Sequence, residues 1–191
     1  SKKIKTKFFK SGKLYNGWRI PNEWNVKEAF ISHKNKKIID FKNNNLHLIA
    51  NSIPVDRYLS LKNLKKKIFT LKNFPSAIPY ITNYYSKNFW GLSMEYQKLK
   101  KLIPGKYRVK IDVDRKKGFM NYGEALIKGK SKKEVVFATY ICHPQMANNE
   151  ISGPVINCNL LNLIHRFSKK NKLRYSYRFL FLPETIGTIA Y

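Results

Sequence analysis

Two continuous apolar runs near the end of the chain restrict its fold more than any other feature of the sequence. Residues 135–141 and 177–182 are each long enough for a strand, and continuous runs are typical of strands buried on both faces in parallel sheets. Between them, an amphipathic helix is predicted by Pro154 near its start and by apolar residues at helical spacing, namely Ile156, Leu160, Leu163, Ile164 and Phe167. Strand, helix and strand in this order predict a right-handed βαβ unit with two parallel strands.

Upstream of this unit the pattern is different. Residues 107–113 alternate between apolar and polar side chains, which predicts a half-buried strand, and residues 120–127 are predicted to form the second arm of a hairpin with it. Shorter predicted elements are a helix at residues 27–30 capped by Asn25, a strand at residues 46–49 and a helix at residues 60–69 capped by Ser60. The switch from alternating to continuous runs predicts a β-rich region over residues 1–128 and an α/β region over residues 129–191.

The predicted βαβ unit is not a finished domain. Two parallel strands and one helix leave one face and one edge of a sheet exposed. The sequence stops at Tyr191, where a second helix is predicted to begin. We therefore expect either a truncated coding sequence, in which a C-terminal half is missing, or a partner chain that completes the sheet.

Two ionisable residues follow the predicted parallel strands at the points where these strands end. His143 follows the first strand, ahead of a predicted loop over residues 144–153, and Glu184 follows the second. Because ligands bind at the carboxyl ends of strands in open α/β sheets, and neighbouring strands are about 4.8 Å apart, both side chains are expected to face one pocket. A neutral imidazole with carboxylates is ligand chemistry for zinc, and a carboxylate beside such a site is general-base chemistry.

Each of these two residues also has a purely structural interpretation. His143 alone is compatible with a loop histidine that is hydrogen-bonded to the backbone. Glu184 alone is compatible with the N-cap or first-turn acid of the next helix, where a negative charge stabilises the helix dipole. The spacing of the two residues leaves these alternatives open.

Charge and composition exclude some classes of protein. The formal net charge is +27, but lysines spread along the whole chain supply most of it, together with abundant Asn, Ile, Phe and Tyr, as AT-rich coding produces. A sequence-specific nucleic-acid reader is typically richer in arginine, so nucleic acid is not the expected partner. No apolar run reaches the length of a membrane span. The two cysteines form no CxxC pair, which favours a reduced, cytoplasmic protein.

Several motifs resemble one known family. They are TYICHPQMANNEISGP at residues 139–154, LPETIG at 182–187, PNEWN at 21–25, AIPYIT at 77–82 and YGE at 122–124. They resemble the polysaccharide-biosynthesis proteins with an aminopeptidase-like domain, which are related to the di-zinc aminopeptidases. The resemblance covers nearly the whole chain. It implies an α/β fold in which this chain is a fragment, with a partial αβα zinc-peptidase-like core and a β-rich inserted or accessory domain of unknown function.

The resemblance also implies roles for individual residues. His143 matches the first zinc-ligand histidine, and Glu184 matches the general-base glutamate. Asn149 stands where the di-zinc relatives place a metal-bridging aspartate, and Glu150 beside it is a candidate substitute for that ligand. Thr185 stands where the relatives carry a second metal-binding glutamate. The candidate metal ligands are thus His143, Asn149 and Glu150 for one or two zinc ions, and the candidate catalytic residue is Glu184.

Three functional hypotheses follow from these features. The first is a metal-dependent aminopeptidase-like hydrolase that cleaves an amide in a peptide or an N-acyl small molecule. The second is a non-catalytic fragment or interaction module, and the third is a basic nucleic-acid-binding protein. The resemblance implies that later aspartate and histidine ligands lie beyond Tyr191. We therefore expect the isolated chain to bind zinc weakly and to lack aminopeptidase activity.

The YGE motif at residues 122–124 lies in the predicted β-rich region and is expected to be structural, with Glu124 paired to a lysine.

Overall fold

The structure, a computed structural model, describes residues 2–81, 83, 88–143 and 146–191. Its strands are β1 (Lys5–Lys10), β2 (Leu14–Tyr15), β3 (Trp18–Arg19), β4 (Glu23–His33), β5 (Lys36–Asp40), β6 (Val55–Ser60), β7 (Ile68–Phe69), β8 (Leu92–Ser93), β9 (Lys106–Lys116), β10 (Phe119–Ile127), β11 (Glu134–Tyr140) and β12 (Ser176–Leu182). Its α-helices are α1 (Leu61–Lys65), α2 (Tyr96–Lys100), α3 (Ala147–Lys170) and α4 (Ile186–Ala190). Among the described residues, no helix combines the length and apolar character that a membrane crossing requires.

The chain forms two compact units. Unit 1 consists of Ser1–Glu23 and Lys117–Tyr191, and unit 2 consists of Trp24–Lys116. Unit 2 is thus inserted between the two segments of unit 1. This division differs from the predicted boundary between residues 128 and 129, because β1 and β10 pair within the same sheet as β12 and therefore belong with the α/β segment.

Unit 1 is built on a four-stranded mixed sheet with the order β1-β10-β12-β11. Strand β10 is antiparallel to both of its neighbours, whereas β11 and β12 are parallel. With α3 between them in sequence, β11 and β12 form the predicted βαβ unit. Strand β12, which lies between β10 and β11, is buried through Phe179, Leu180, Phe181 and Leu182. The partial αβα core implied by the sequence is therefore present.

Strand β11 departs from the prediction that it is buried on both faces. Its residues alternate between exposed and half-buried, and Val136 is 52% exposed. Within the described sheet β11 has one neighbour, β12, so that its outer edge and part of one face are open. The continuous apolar run thus predicts the strand correctly but not its surroundings.

Helix α3 begins earlier than the sequence indicates. It starts at Ala147 and contains Pro154, although a loop was expected over residues 144–153. Proline removes one helical hydrogen bond and is usually disruptive inside a helix, but here the first two turns are held by contacts that are described below. Of the predicted loop, Pro144 and Gln145 lie outside the described residues, as does Thr82 of the motif at residues 77–82.

The face that α3 turns to the sheet is also shifted from the predicted one. Asn157 and Leu161 are buried there, with Leu160 and Ile164 half-buried. Asn157 Nδ2 donates to the Leu180 carbonyl at 3.1 Å, which ties the helix to the central strand. A buried amide paired in this way is hard to foresee, since asparagine normally indicates the exposed face of a helix.

Unit 2 contains a four-stranded sheet with the order β5-β4-β9-β6. The predicted strand at residues 107–113 is confirmed within β9, and Ser60 caps α1 as predicted, although this helix already ends at Lys65. The helix predicted at residues 27–30 is wrong, because this segment lies in β4, where Glu28 pairs with Lys110 across the sheet. The strand predicted at residues 46–49 is also wrong, since residues Asn45–His47 form a 3-10 turn capped by Asn44.

The predicted hairpin between β9 and β10 does not form. Strand β9 pairs with β6 in unit 2, whereas β10 pairs with β1 and β12 in unit 1. Aromatic contacts favour this pairing of β10, since the rings of Phe9 and Tyr122 stack with centroids 4.8 Å apart. Alternation predicts a strand, but the partner of that strand depends on distant side chains.

Candidate active site

The end of the βαβ unit brings the two predicted site residues to one edge of the sheet. Tyr140 is aligned with Leu182 in the parallel register of β11 and β12, and the Ile141 amide extends the pairing by donating to the Leu182 carbonyl at 2.9 Å. The chains that leave these adjacent strands carry His143 and Glu184. The predicted placement of both residues at the carboxyl edge of neighbouring strands is confirmed.

The side chains of this edge form a linked group. His143 Nε2 lies 3.4 Å from Glu184 Oε2, and His143 Nδ1 lies 2.8 Å from Glu150 Oε1. The imidazole and the Glu150 carboxylate are mostly enclosed, whereas the Glu184 side chain is 50% exposed. The histidine is thus held between two carboxylates, of which only Glu184 is open to solvent.

Glu150 fixes the orientation of the imidazole. Its Oε1 accepts from His143 Nδ1 at 2.8 Å, in the tautomer that a carboxylate selects, and its Oε2 accepts from the Cys142 amide at 2.6 Å. A carboxylate that holds one ring nitrogen directs the other nitrogen outward as a potential ligand. The structure therefore places Glu150 behind the histidine, whereas the sequence suggested a direct metal ligand at this position.

A glycine lets the first turns of α3 approach β11 closely enough for this contact. A Cβ atom at Gly153 would lie 2.2 Å from Thr139 Oγ1, so a larger residue would displace the helix or the threonine. Ser152 Oγ donates to the Asn148 carbonyl at 2.7 Å and secures the same turns. This packing holds the first turns of α3 near the end of β11 and brings Glu150 to the site.

Cys142 belongs to the same group and was not singled out from the sequence. Its Sγ accepts from the Glu184 amide at 3.4 Å and lies 3.7 Å from His143 Nδ1. Burial raises the pKa of the Cys142 thiol; the hydrogen bond from the Glu184 amide opposes this increase, and the charges of Glu150 and Glu184 add to it. The signal that was available is its position, directly before His143 at the end of a strand.

A strained turn holds Glu184. Thr185 has φ 57° and ψ −73°, and the Ile186 amide donates to the Glu184 carbonyl at 2.6 Å, which together define a tight γ-turn. Positive φ is rare for a β-branched residue, and turns of this kind are strained. Strain of this type is concentrated at functional sites.

The remaining sequence candidates occupy less central positions. Asn149 lies in the first turn of α3 and is exposed, next to Glu150. Glu124 forms an ion pair with Lys7, as expected, and also accepts from Arg178, away from the strand ends that carry His143 and Glu184. The described site thus combines His143, Glu184, Glu150 and Cys142.

Among the described residues, three side chains could share a metal ion. One ligand atom from each of Cys142, His143 and Glu184 lies within 4.8 Å of the other two. Nitrogen, sulfur and carboxylate oxygen are the donors that zinc uses in proteins. If the other two side chains hold the ion, the Glu184 carboxylate lies beside it, which is the requirement for a general base.

Solved structures place the fold among the peptidase-like α/β proteins. The structure of a candidate peptidase from Clostridium acetobutylicum matches 98% of this chain with a TM-score of 0.89 and 39% identity, over 44% of its own length. A zinc aminopeptidase from Bacillus subtilis matches 96% of this chain with a TM-score of 0.60 and 12% identity, over 51% of its own length. The chain therefore has a partial peptidase-like α/β core that is interrupted by an inserted β-rich unit.

The family model described as a domain of unknown function, DUF4910, matches residues 2–191, and the chain belongs to this family. A relative from Clostridium acetobutylicum, named as a candidate polysaccharide biosynthesis protein with an aminopeptidase-like domain, is 42% identical over 183 residues. These residues are 95% of this chain and 41% of the relative. The chain thus spans about two-fifths of the length of that relative.

Proposed function

We propose that His143, Glu150 and Glu184 belong to a zinc-dependent, aminopeptidase-like active site of which this chain supplies one portion. The reaction in this proposal is hydrolysis of an amide. The observation that carries the proposal is the 3.4 Å separation of His143 Nε2 and Glu184 Oε2 at the carboxyl edge of two parallel strands. The same fold in a zinc aminopeptidase supports the choice of reaction class.

Imidazole nitrogen and carboxylate or amide oxygen at this edge are donors that fit zinc. His143 would hold the ion through Nε2, since Nδ1 contacts Glu150, and Asn149 in the first turn of α3 is a further candidate from this chain. Zinc bound at this position would supply Lewis acidity to polarise the carbonyl of the scissile amide. Cys142 and Cys158 form no disulfide with each other. Because reduced thiols are typical of the cytoplasm, a cytoplasmic location is part of the proposal.

Each protein group then has a distinct task. Glu184 is half exposed and takes the proton of the attacking water, then returns it to the leaving amine. Glu150 keeps the imidazole in one tautomer and orientation through its 2.8 Å contact. The substrate class in this proposal is a peptide or an N-acyl small molecule, because both present an amide to the same chemistry.

The test requires the chain alone and the chain completed by its relative. On its own, the 191-residue chain is expected to bind zinc weakly in a calorimetric titration, with heat that His143→Ala removes, and to show no turnover. A chimera in which residues 1–191 replace the equivalent part of the Clostridium acetobutylicum relative is expected to hydrolyse chromogenic aminoacyl amides or N-acyl sugars. Glu184→Gln should lower kcat of the chimera by about 10²–10⁴-fold while zinc content is retained.

Glu134→Gln is the matched control, since Glu134 lies at the opposite end of β11 from the site. It should leave kcat unchanged. Equal turnover with and without Glu184→Gln in a folded, zinc-containing chimera would falsify the proposed role of Glu184. Strong zinc binding together with turnover by residues 1–191 alone would show that the chain needs no further ligands.

A further inference from the structure

We propose that Cys142 is a metal ligand, so that the site binds its ion through sulfur as well as through the imidazole of His143. This inference rests on the proposed function and extends it, because it adds a donor to which neither the sequence motifs nor the comparisons assign a role. It also predicts which ions the site selects. A thiolate ligand favours zinc and similar thiophilic ions over magnesium and calcium.

The geometry brings the sulfur within reach of a shared ion. One ligand atom from each of Cys142, His143 and Glu184 lies within 4.8 Å of the others. The measured 3.7 Å separates Sγ from Nδ1, which contacts Glu150, so the ion would be shared with Nε2. In a tetrahedral zinc site, with Zn–S of about 2.3 Å and Zn–N of about 2.0–2.1 Å, sulfur and nitrogen are roughly 3.6 Å apart. A side-chain adjustment that brings Sγ to this distance from Nε2 places both atoms to bind one ion.

Without an ion, burial and the charges of Glu150 and Glu184 raise the pKa of the Cys142 thiol, but charge balance with an ion bound and one hydrogen bond favour the same assignment. His143 and Asn149 are neutral donors, so a metal cation held by them alone would lack a negative ligand, which a thiolate at Cys142 supplies. The Glu184 amide donates to Sγ at 3.4 Å, and such amide contacts stabilise metal-bound sulfur. With sulfur and nitrogen holding the ion, the Glu184 carboxylate stays available as the base.

The second cysteine provides a control within the same chain. Cys158 lies on α3 and packs against the apolar cluster that includes Leu161 and Phe179. It is therefore a thiol of the same protein in an apolar setting, on the sheet-facing side of the helix. Any signal that depends on Cys142 and not on Cys158 reports the site.

The experiment is a titration of the 191-residue chain with Co²⁺, followed by ultraviolet and visible absorption. We expect the charge-transfer band that cobalt shows when a thiolate binds, and we expect Cys142→Ser to remove it while Cys158→Ser leaves it intact. Cys142→Ser should also weaken cobalt binding by at least about tenfold, the lower end of the loss seen when even outer-shell partners are removed. Zn²⁺, but not Mg²⁺, should displace cobalt.

A second measurement uses only the wild-type chain and does not depend on whether a variant folds. Zinc should protect Cys142 from alkylation, as mapped by peptide mass spectrometry, and should leave Cys158 equally reactive. Cobalt binding that requires His143 but shows no thiolate band and no protection of Cys142 would overturn the sulfur assignment while the proposed function stands. Failure of both metals to bind in a manner that depends on His143, at saturating concentration, would overturn both.

Discussion

Thr185 adopts a strained backbone conformation at the site, and this strain lowers the stability of the folded protein. Its φ of 57° and ψ of −73° keep Glu184 and Ile186 in a γ-turn at the end of β12. A non-glycine residue in such a conformation typically costs about 1–3 kcal/mol. The side chain of Thr185 is exposed and the turn is set by the backbone, so the strain is separable from the chemistry of the site.

Replacing this threonine should therefore stabilise the protein. We expect Thr185→Gly to raise the free energy of unfolding by about 1 kcal/mol, since glycine adopts positive φ freely. Thr188→Gly is the control, because Thr188 is exposed within α4, where glycine should lower stability by about 0.5 kcal/mol. Urea unfolding of both variants measures the difference, and a loss of stability in Thr185→Gly would contradict the strain argument.

The residues of the site were predictable from the sequence to different degrees. His143 and Glu184 could be found because each follows an apolar strand, and strand order alone brings them to one edge. Cys142 and the orienting role of Glu150 could not be assigned in the same way. The role of Glu150 depends on the close approach of α3 to Thr139 at Gly153, which is a packing detail that has no periodic signature in the sequence.

At the scale of elements, an ion-pair network around the buried Glu124 joins four strands of unit 1. Glu124 on β10 pairs with Lys7 on β1 and accepts from Arg178 on β12, and Arg178 also makes two hydrogen bonds to Glu134 on β11, at 2.6 and 2.7 Å. Burial alone raises the pKa of Glu124, but Lys7 and Arg178 outweigh it and hold this pKa below its ordinary value of 4.5. The network links the two chain segments that unit 2 separates.

The depressed pKa of Glu124 makes part of the stability dependent on pH. A carboxyl group with a lower pKa in the folded state stabilises above its unfolded value of 4.5, and this contribution is lost as pH falls through the folded value. We expect Glu124→Gln to lower the free energy of unfolding by about 2 kcal/mol at pH near 7, and its difference from wild type to shrink below pH of about 4.5. Urea unfolding over a pH series tests this.

Glu134→Gln is the comparison for this variant. Glu134 binds the same Arg178, but its side chain is 29% exposed, so its removal should cost about 1 kcal/mol or less. An equal effect of the two variants at every pH would mean that burial of Glu124 contributes nothing to the network.

The positions of strands were predicted better than the strands with which they pair. Alternation located β9 and apolar continuity located β11 and β12, since both patterns are local. The pairing of β10 with β1, and the assignment of residues 27–30 to β4 in place of a helix, were not predictable. Both depend on side chains from distant parts of the chain, such as Phe9 against Tyr122 and Glu28 against Lys110.

At the scale of the molecule, two surface properties oppose each other. The formal net charge of +27 keeps copies apart. Helix α3, however, exposes large apolar side chains, each at least half accessible: Ile151, Val155, Ile156, Leu163 and Phe167. Exposed apolar side chains on one helix promote association, so the balance should depend on how strongly salt screens the lysines.

We therefore expect the 191-residue chain to be monomeric at low salt and to self-associate as ionic strength rises above about 0.15 M, where the Debye length falls below about 8 Å. The double variant Leu163→Gln and Phe167→Gln should associate much less, with a change in stability within about 0.5 kcal/mol. Phe74→Gln is the control, because Phe74 is 66% exposed in unit 2 and should have no effect. Sedimentation velocity measures all three, and a wild-type monomer at high salt would contradict the argument.

The insertion of unit 2 determines when the paired strands of unit 1 become available during synthesis on the ribosome. Strand β1 pairs with β10, from Lys5 with Glu124 to Lys10 with Phe119, so its partner is translated only after the whole of residues 24–116. At a translation rate of about 5–20 residues per second, β10 is synthesised roughly 5–20 seconds after β1. Unit 2 can fold during this interval, and the Phe119 amide then meets Glu23 Oε1, 2.9 Å away in the finished fold. Early folding of unit 2 replaces a long flexible loop by a compact one and so lowers the entropy lost when β1 and β10 close.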